Sequence, residues 1–165
     1  MALALVEATP EDAATVAALR AAVAERLTRD FGQGHWSTVA SERSVINDLR
    51  ISKVFIAREG KRIIATLRLA TRKPWAIDQS YFTDCVRPLY LSDMAVDPER
   101  QRSGIGRQCL AEARRIARNW PADAIRLDAY DAAAGAGEFY AKCGYRETGR
   151  VTYRRTPLVY YEMIF

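Results

Sequence analysis

The 165-residue chain contains no run of about 18 consecutive apolar residues, so no membrane-spanning helix is expected. Its first residues, MALALVEATPEDAA, do not couple a basic stretch to a long apolar one, which argues against a secretory signal. The three cysteines, Cys85, Cys109 and Cys143, form no C-x-x-C pair and have no histidine nearby. Zinc-ligand spacing is therefore absent and a disulfide framework is disfavoured; no metal is expected, and a reducing cytoplasm is the expected compartment. The single histidine, His35, sits beside Trp36 in a Gly-rich stretch. A loop histidine without a predicted partner is more often solvated or locally bonded than part of a substrate site. No linker rich in Pro, Gly or Ser divides the chain, and neither repeats nor low-complexity tracts occur. One domain over residues 1–165 is the expectation, with about 70% of the unfolded surface buried.

With 49% hydrophobic and 27% charged residues, the composition excludes a disordered or fibrous chain. The net charge of +5 favours an anionic partner, whether nucleic acid, a membrane surface or a polyphosphate.

Leu3–Val6 reads as a short strand. Thr9-Pro10-Glu11-Asp12 then opens a helix over 10–28, with a capping residue, Pro at the first position and an acid three residues after the cap. A second helix is expected over 37–49. Strands follow over 53–57 and 62–71, joined by Glu59-Gly60-Lys61, a hairpin signal. Residues 72–85 form a loop, and 87–96 a strand ended by Asp97-Pro98. The apolar positions Ile105, Cys109, Ala113, Ile116 and Ala117 recur at helical spacing over 104–119, until Pro121. A strand over 125–130, a helix over 132–142 and strands over 145–153 and 158–165 complete the order, with Pro157 suiting the last turn. The mixture is α/β with one central sheet.

The most informative stretch runs from Met94 to Arg107, MAVDPERQRSGIGR. A buried strand feeds a short loop and then a helix that begins at two glycines. Free N–H groups at a helix start, aided by the dipole, make an anion site, and glycine lets an anion approach the backbone closely. Arg100, Arg102 and Arg107 add positive charge. A Walker loop would need Lys-Ser/Thr where Arg107-Gln108 stands. A Rossmann fingerprint would need a third small residue at Cys109 and a βαβ frame. Both fail.

Gln101-Arg102-Ser103-Gly104-Ile105-Gly106, preceded by AVDP, resembles the Q/R-x-x-G-x-G/A signature of GNAT acetyltransferases. A second stretch, Leu127-Asp128-Ala129-Tyr130 followed by Ala136-Gly137-Glu138-Phe139-Tyr140-Ala141-Lys142-Cys143-Gly144-Tyr145, is similar to that family's other mark, with Tyr145 in place of the usual Phe. The resemblance covers most of the chain from Lys53 onward. It implies a single central mixed, mostly antiparallel sheet with helices on both faces and a splay between the strands ending near Val96 and Tyr130. It also implies acetyl-CoA as co-substrate. Met94, Ala95 and Val96 would contact its acetyl-pantetheine part, and Arg102, Ser103, Gly104, Ile105, Gly106 and Arg107 would hold its phosphates. The family's helix-preceding Asn is replaced by Ala133. Asp131 stands nearby as a partial substitute or a cap, and Gly135 and Gly137 weaken the helix by about 1 kcal/mol each relative to Ala.

Acetyl transfer needs a neutral amine, a polarised carbonyl and a protonated leaving thiolate. Tyr140 is the expected acid, since a phenol of pKa about 10 keeps its proton at neutral pH. The Met94 amide is the candidate donor to the carbonyl. Asp128 is the expected base, matching an acidic base in some GNAT members, while Asp93 and water are alternatives. Strand alternation puts Asp93 on the face opposite the side chains of Tyr90 and Met94. Trp75, Tyr81 and Phe82 are candidates for the acceptor pocket or for packing the loop onto the sheet. The aromatic strand Tyr160-Tyr161-Glu162-Met163 fits core packing, a homodimer edge or ligand contact equally. The expected function is acetyl-CoA-dependent N-acetylation of an amine on an unidentified small molecule or protein, without a membrane partner. Two alternatives are a CoA-binding regulator lacking turnover, which Ala133 keeps open, and a nucleic-acid-binding module. The latter is disfavoured because the arginines track one helix start and not a long aromatic-interleaved stripe.

Overall fold

In the computed structural model, which describes residues 2–165, seven strands form one sheet in the order β1-β2-β3-β4-β5-β7-β6. The strands are β1 (Val6–Glu7), β2 (Lys53–Glu59), β3 (Arg62–Ala70), β4 (Pro88–Val96), β5 (Ala124–Tyr130), β6 (Arg146–Tyr153) and β7 (Thr156–Ile164). Every neighbouring pair is antiparallel except β4 and β5. The helices are α1 (Ala13–Phe31), α2 (Glu42–Ile51), α3 (Ile105–Asn119) and α4 (Gly137–Lys142). Among the described residues no helix is long and apolar enough to cross a membrane.

Local chemistry sets the helix ends. The Thr9 amide donates to Asp12 Oδ2 at 2.9 Å and starts a 3-10 turn at Pro10 that runs into α1. Helix α1 stops at Gly32, whose φ of 83° suits glycine. The second helix begins five residues later than the sequence suggests. Ser37 is spent closing a tight turn by accepting from the Gly34 amide at 3.0 Å, and Ser41 becomes the cap by accepting from the Ser44 amide at 3.1 Å.

The sheet is covered on both faces. Val16 and Leu19 of α1 and Val45 of α2 pack against Val54, Ile56 and Ile63. Cys109, Leu110, Ala113 and Ala117 of α3 join Tyr140 of α4 against Leu67, Leu69, Ile125 and Leu127. Strand β3 therefore reads as a nearly continuous apolar run, as a strand buried on both faces should.

One expectation needs correction here, and two open alternatives are decided. Pro157 lies inside β7, and the β6–β7 turn is made by Arg154 and Arg155, both with positive φ (47° and 68°). A two-residue hairpin loop requires that twist, which proline cannot adopt. Strand β7 is flanked by β5 and β6, and Tyr160 and Tyr161 are buried, so it offers no dimer edge. In the 72–85 loop, Phe82 packs with Ile77, Tyr90 and Tyr160, and Tyr81 sits edge-on to Tyr160 at 5.6 Å over Gly149. These two aromatics anchor the loop to the sheet, and Trp75 is 83% exposed.

Candidate active site

Strands β4 and β5 begin as neighbours and then part. They pair at Pro88–Ala124, Leu89–Ile125 and Tyr90–Arg126, and no further. Beyond that point β5 pairs only with β7, which leaves one side of β4 from Leu91 to Val96 without a strand partner. A bulge lies in the same stretch. Thr66 faces Ala95 and Arg68 faces Ser92, so Leu67 alone opposes both Asp93 and Met94, and Asp93 takes φ 52°. A bulge bends its strand and re-aims side chains. That overturns the alternation expected for Asp93: it lines the same cavity as Met94.

At the end of β4, Asp97 is buried. Its carboxylate accepts from the Glu99 amide at 3.0 Å and pairs with Arg62. Gln101 donates back to the Val96 carbonyl at 3.0 Å. These bonds hold the turn whose last residue, Gly104, has φ 87° and precedes α3. Among the described residues no acceptor meets the amides of Arg102, Ser103, Gly104, Ile105, Gly106 or Arg107, and the first satisfied amide is that of Gln108, bonded to the Gly104 carbonyl at 3.1 Å. Six consecutive free N–H groups at the positive end of a 15-residue helix form an anion cradle. Arg100 takes no part in it, because Glu59 holds its guanidinium at 2.8 Å. Neither Arg102 nor Arg107 has a carboxylate at salt-bridge distance among the described residues.

The two glycines differ in role. A Cβ on Gly104 would meet open space, so its demand is the positive φ alone. A Cβ on Gly106 would come within 3.0 Å of the Phe139 ring and 3.8 Å of the Met94 methyl. The first turn of α3 thus lies over the Phe139 ring with the Met94 methyl close by, and the Tyr140 hydroxyl donates to the Met94 sulfur at 3.8 Å. Tyr140 is buried between Phe139, Tyr145 and Tyr161. Burial, reinforced by the nearby Asp128 and Cys143, pushes its phenol well above the ordinary value, so the proton is held firmly.

On the other side of the parted strands lies a cavity of about 700 Å³ lined by Met94, Asp93, Asp128 and Tyr140, by Arg20 of α1 and by the turn of His35 and Trp36. Tyr130 closes its rim, with its hydroxyl on the His35 carbonyl at 3.4 Å and its ring edge-on to Trp36 at 6.0 Å. Desolvation, and secondarily the charge of Asp93, raise the Asp128 carboxyl to about 6. Among the described residues no cation sits at salt-bridge distance from Asp128, whereas Asp93 lies 3.2 Å from Arg68.

Residues 131–136 are turns, so α4 starts at Gly137 and not at Ala132. The turn passes close to β5 at Gly135, where a Cβ would fall 1.8 Å from the Tyr130 carbonyl oxygen, so only glycine fits there. Gly137 admits the Tyr161 hydroxyl, which a Cβ would approach to 2.7 Å. Neither glycine is a helix-interior defect. Asp131 neither caps the helix nor faces the cleft, since Arg150 holds it at 3.0 Å. Gly135→Ala is expected to destabilise the protein by about 2 kcal/mol or more, because backbone must move to relieve the clash. An unchanged urea midpoint would show that the turn yields freely.

Sequence reasoning missed a part-buried ionic group on the cavity wall. Asp48 bonds Arg20 at 2.9 Å and Arg68 at 2.7 Å, and Arg68 also reaches Ser92 at 3.0 Å. A signal was present: Arg68 interrupts an otherwise apolar strand, RIIATLRLA, and a charge in such a run demands a partner.

A model of the acetyltransferase (GNAT) family matches residues 20–145. No curated protein matches the sequence. Among solved structures, a GCN5-related N-acetyltransferase from Rhodopseudomonas palustris superposes with a TM-score of 0.73 at 21% identity, over 100% of this chain and 97% of that one. An N-acetyltransferase, paia, from Thermoplasma acidophilum, solved in complex with coenzyme A, gives 0.73 at 15% identity over 100% of both chains. The ribosomal-protein-S18-alanine N-acetyltransferase from Escherichia coli gives 0.72 at 14% identity, covering 98% of this chain and 93% of that one. At these identities the likeness is one of fold.

Proposed function

Because the chain belongs to the GNAT acetyltransferase family, we propose that it carries an acetyl group from acetyl-CoA to an amine held in the cavity, with Tyr140 as acid and Asp128 as base. The observation that carries this reading is the row of free amides from Arg102 to Arg107, set against Met94 and, through it, against Tyr140. The complex of the Thermoplasma acidophilum protein with coenzyme A lends support. We place the enzyme in the reducing cytoplasm, in keeping with the three free cysteines, and treat residues 1–165 as one catalytic domain.

Acetyl-CoA supplies the acetyl group already activated as a thioester. The amides of Arg102, Ser103, Gly104, Ile105, Gly106 and Arg107 suit its pyrophosphate, with the side chains of Arg102 and Arg107 adding charge. Met94, Ala95 and Val96 lie where one side of β4 has no strand partner, which suits them to the pantetheine arm, and the Met94 amide is our candidate donor to the acetyl oxygen. Asp128, ionised at neutral pH, accepts the proton of the attacking ammonium. That help matters most for a lysine-like amine, whose neutral form costs roughly 4 kcal/mol near pH 7.4; an α-amine costs under about 1. Tyr140 gives its proton to the departing thiolate, and the second proton that the nitrogen sheds as the amide forms restores the phenol by way of solvent.

Calorimetric titration with acetyl-CoA, repeated on Gly104→Val, tests the reading. Micromolar binding is expected in the wild type. The variant should bind at least about tenfold more weakly, since positive φ strains a β-branched residue by about 1–2 kcal/mol or more and the turn must reshape. Circular dichroism of the variant separates this from unfolding. No binding by the wild type sinks the proposal, and binding without thiol release across a broad amine panel would mark a CoA-binding protein without turnover.

A further inference from the structure

The cavity wall carries two arginines and three aspartates: Arg20, Arg68, Asp48, Asp93 and Asp128. Asp48 and Asp93 engage both cations. Asp48 binds Arg20 Nη1 at 2.9 Å and Arg68 Nη1 at 2.7 Å, and Asp93 lies 3.2 Å from Arg68 Nε. The other two nitrogens of Arg20 are sealed off by protein, out of reach of anything the cavity holds. A carboxylate approaching Arg68 would meet Asp93, 42% exposed, at the same guanidinium. Asp128 is left over, with no cation at salt-bridge distance among the described residues.

Strand register brings the free acid and its neighbour together. Tyr90 faces Arg126 in the last parallel pair. Two residues further on, Ser92 comes level with Asp128, and the bulge turns the next residue, Asp93, into the same space. The floor between the parting strands is therefore negative once Asp128 ionises, above about pH 6. Much of the remaining wall is apolar, with Val23, Leu27, Val39 and Ile77. Trp36 gives its Nε1 proton to the Gly32 carbonyl at 2.9 Å and Tyr130 its hydroxyl proton to the His35 carbonyl at 3.4 Å, so neither ring keeps a donor for a ligand.

We propose that the acceptor is a small primary amine on an apolar body that carries no carboxylate, and that the cavity turns away free amino acids. The ammonium of such an amine is the counter-ion that Asp128 lacks. A carboxylate on the same molecule would lose its hydration in a space whose cations are engaged, and would gain no partner. This rests on the acetyltransferase reading for the role of the amine, but the charge preference can be measured apart from turnover.

The test compares hexylamine, 6-aminohexanamide and 6-aminohexanoate, and also phenethylamine and phenylalanine. In each set the compounds without a carboxylate have amines at least about as basic, so the supply of neutral amine does not favour them. The neutral amide separates charge from apolarity. For each compound kcat/KM is measured by thiol release from acetyl-CoA and binding by calorimetry without acetyl-CoA, both at pH 8, which keeps histidine out of the charge balance. Wild-type protein should use hexylamine and the amide at least about tenfold better than 6-aminohexanoate, and phenethylamine at least about tenfold better than phenylalanine, as an unscreened like charge predicts. Val39→Arg adds a cation at a wall position that is 68% exposed and tolerates a long side chain. Asp93→Asn removes one acid and frees part of Arg68. Either change should bring the amide-to-acid ratio within about threefold of unity. Equal or better use of the acids by the wild type, or a ratio that neither substitution moves, overturns the proposal and leaves acetyl transfer standing. Binding in the expected order without thiol release from any compound would support the charge preference and defeat the transferase reading. Neither binding nor release with any of the five rejects this class of acceptor, while the acetyl-CoA titration judges the transferase reading separately.

Discussion

Replacing Tyr140 with Phe is expected to lower kcat by about 10- to 1000-fold while acetyl-CoA affinity stays within about threefold. The substitution removes one oxygen from a buried ring and keeps the packing with Phe139, Tyr145 and Tyr161. The hydroxyl touches only a thioether sulfur, at 3.8 Å, so its loss leaves no strong acceptor unpaired. Stability should therefore change by less than about 1 kcal/mol, and any loss of turnover belongs to the chemistry. Burial holds the phenol in its protonated form, which is the state an acid needs when a thiolate of pKa near 8.5 departs. Single-turnover kinetics of thiol release would measure the effect. Turnover within about threefold of wild type would remove Tyr140 from the reaction.

The second large effect is expected at Asp128. Asp128→Asn should reduce kcat/KM by about 100-fold for amines that need a base, and abolish the limb of the wild-type profile that rises near pH 6. The same variant should be the more stable protein at pH 7.5. The folded carboxyl titrates at about 6 and the unfolded one at about 3.9, so folding favours the protonated form. That contribution is complete below about pH 4 and is lost as pH rises through about 6, which leaves a poorly solvated carboxylate at neutral pH. Asparagine is neutral throughout. Its advantage should reach roughly 1–3 kcal/mol at pH 7.5 and close near pH 4, a difference that urea denaturation at the two values would show. Unchanged kcat/KM would move the base to Asp93 or to water. Asp93 is the weaker rival, because the Arg68 guanidinium 3.2 Å away already satisfies it.

Asp128 departs from the rules that shape a core: it is a carboxyl in poorly solvated surroundings, and a chain selected for stability alone would replace it. Asp128 also gains from position: β5 stays paired to β7 through Tyr130, which holds the carboxylate on rigid backbone while β4 bends away.

How much was legible from residues alone varied with the range of the interactions concerned. The strands 53–59, 62–70 and 88–96 and helix 105–119 came through because apolar periodicity, Gly60, Asp97-Pro98 and Pro121 act locally. The anion cradle was equally visible, since a glycine at the head of a helix produces free amides whatever the rest of the chain does. Other features needed the tertiary structure. Ser37 and Ser41 are equally good caps in sequence, but Ser37 is taken up by the Gly34 amide and the Thr28 hydroxyl in the turn that meets Tyr130, which leaves Ser41 to cap. The positive φ of Asp93 depends on the register of β3, which turned a residue expected on the far face into the cavity. Arg20 meets Asp48 across 28 residues, and no local rule couples them. Sequence by itself thus determined most of the elements, the glycine turn ahead of α3 and the family, each set by neighbours a few residues apart. The tertiary structure alone decided where β4 and β5 part and which charged side chains share the cavity, because those depend on strand register and on contacts between residues far apart in the chain.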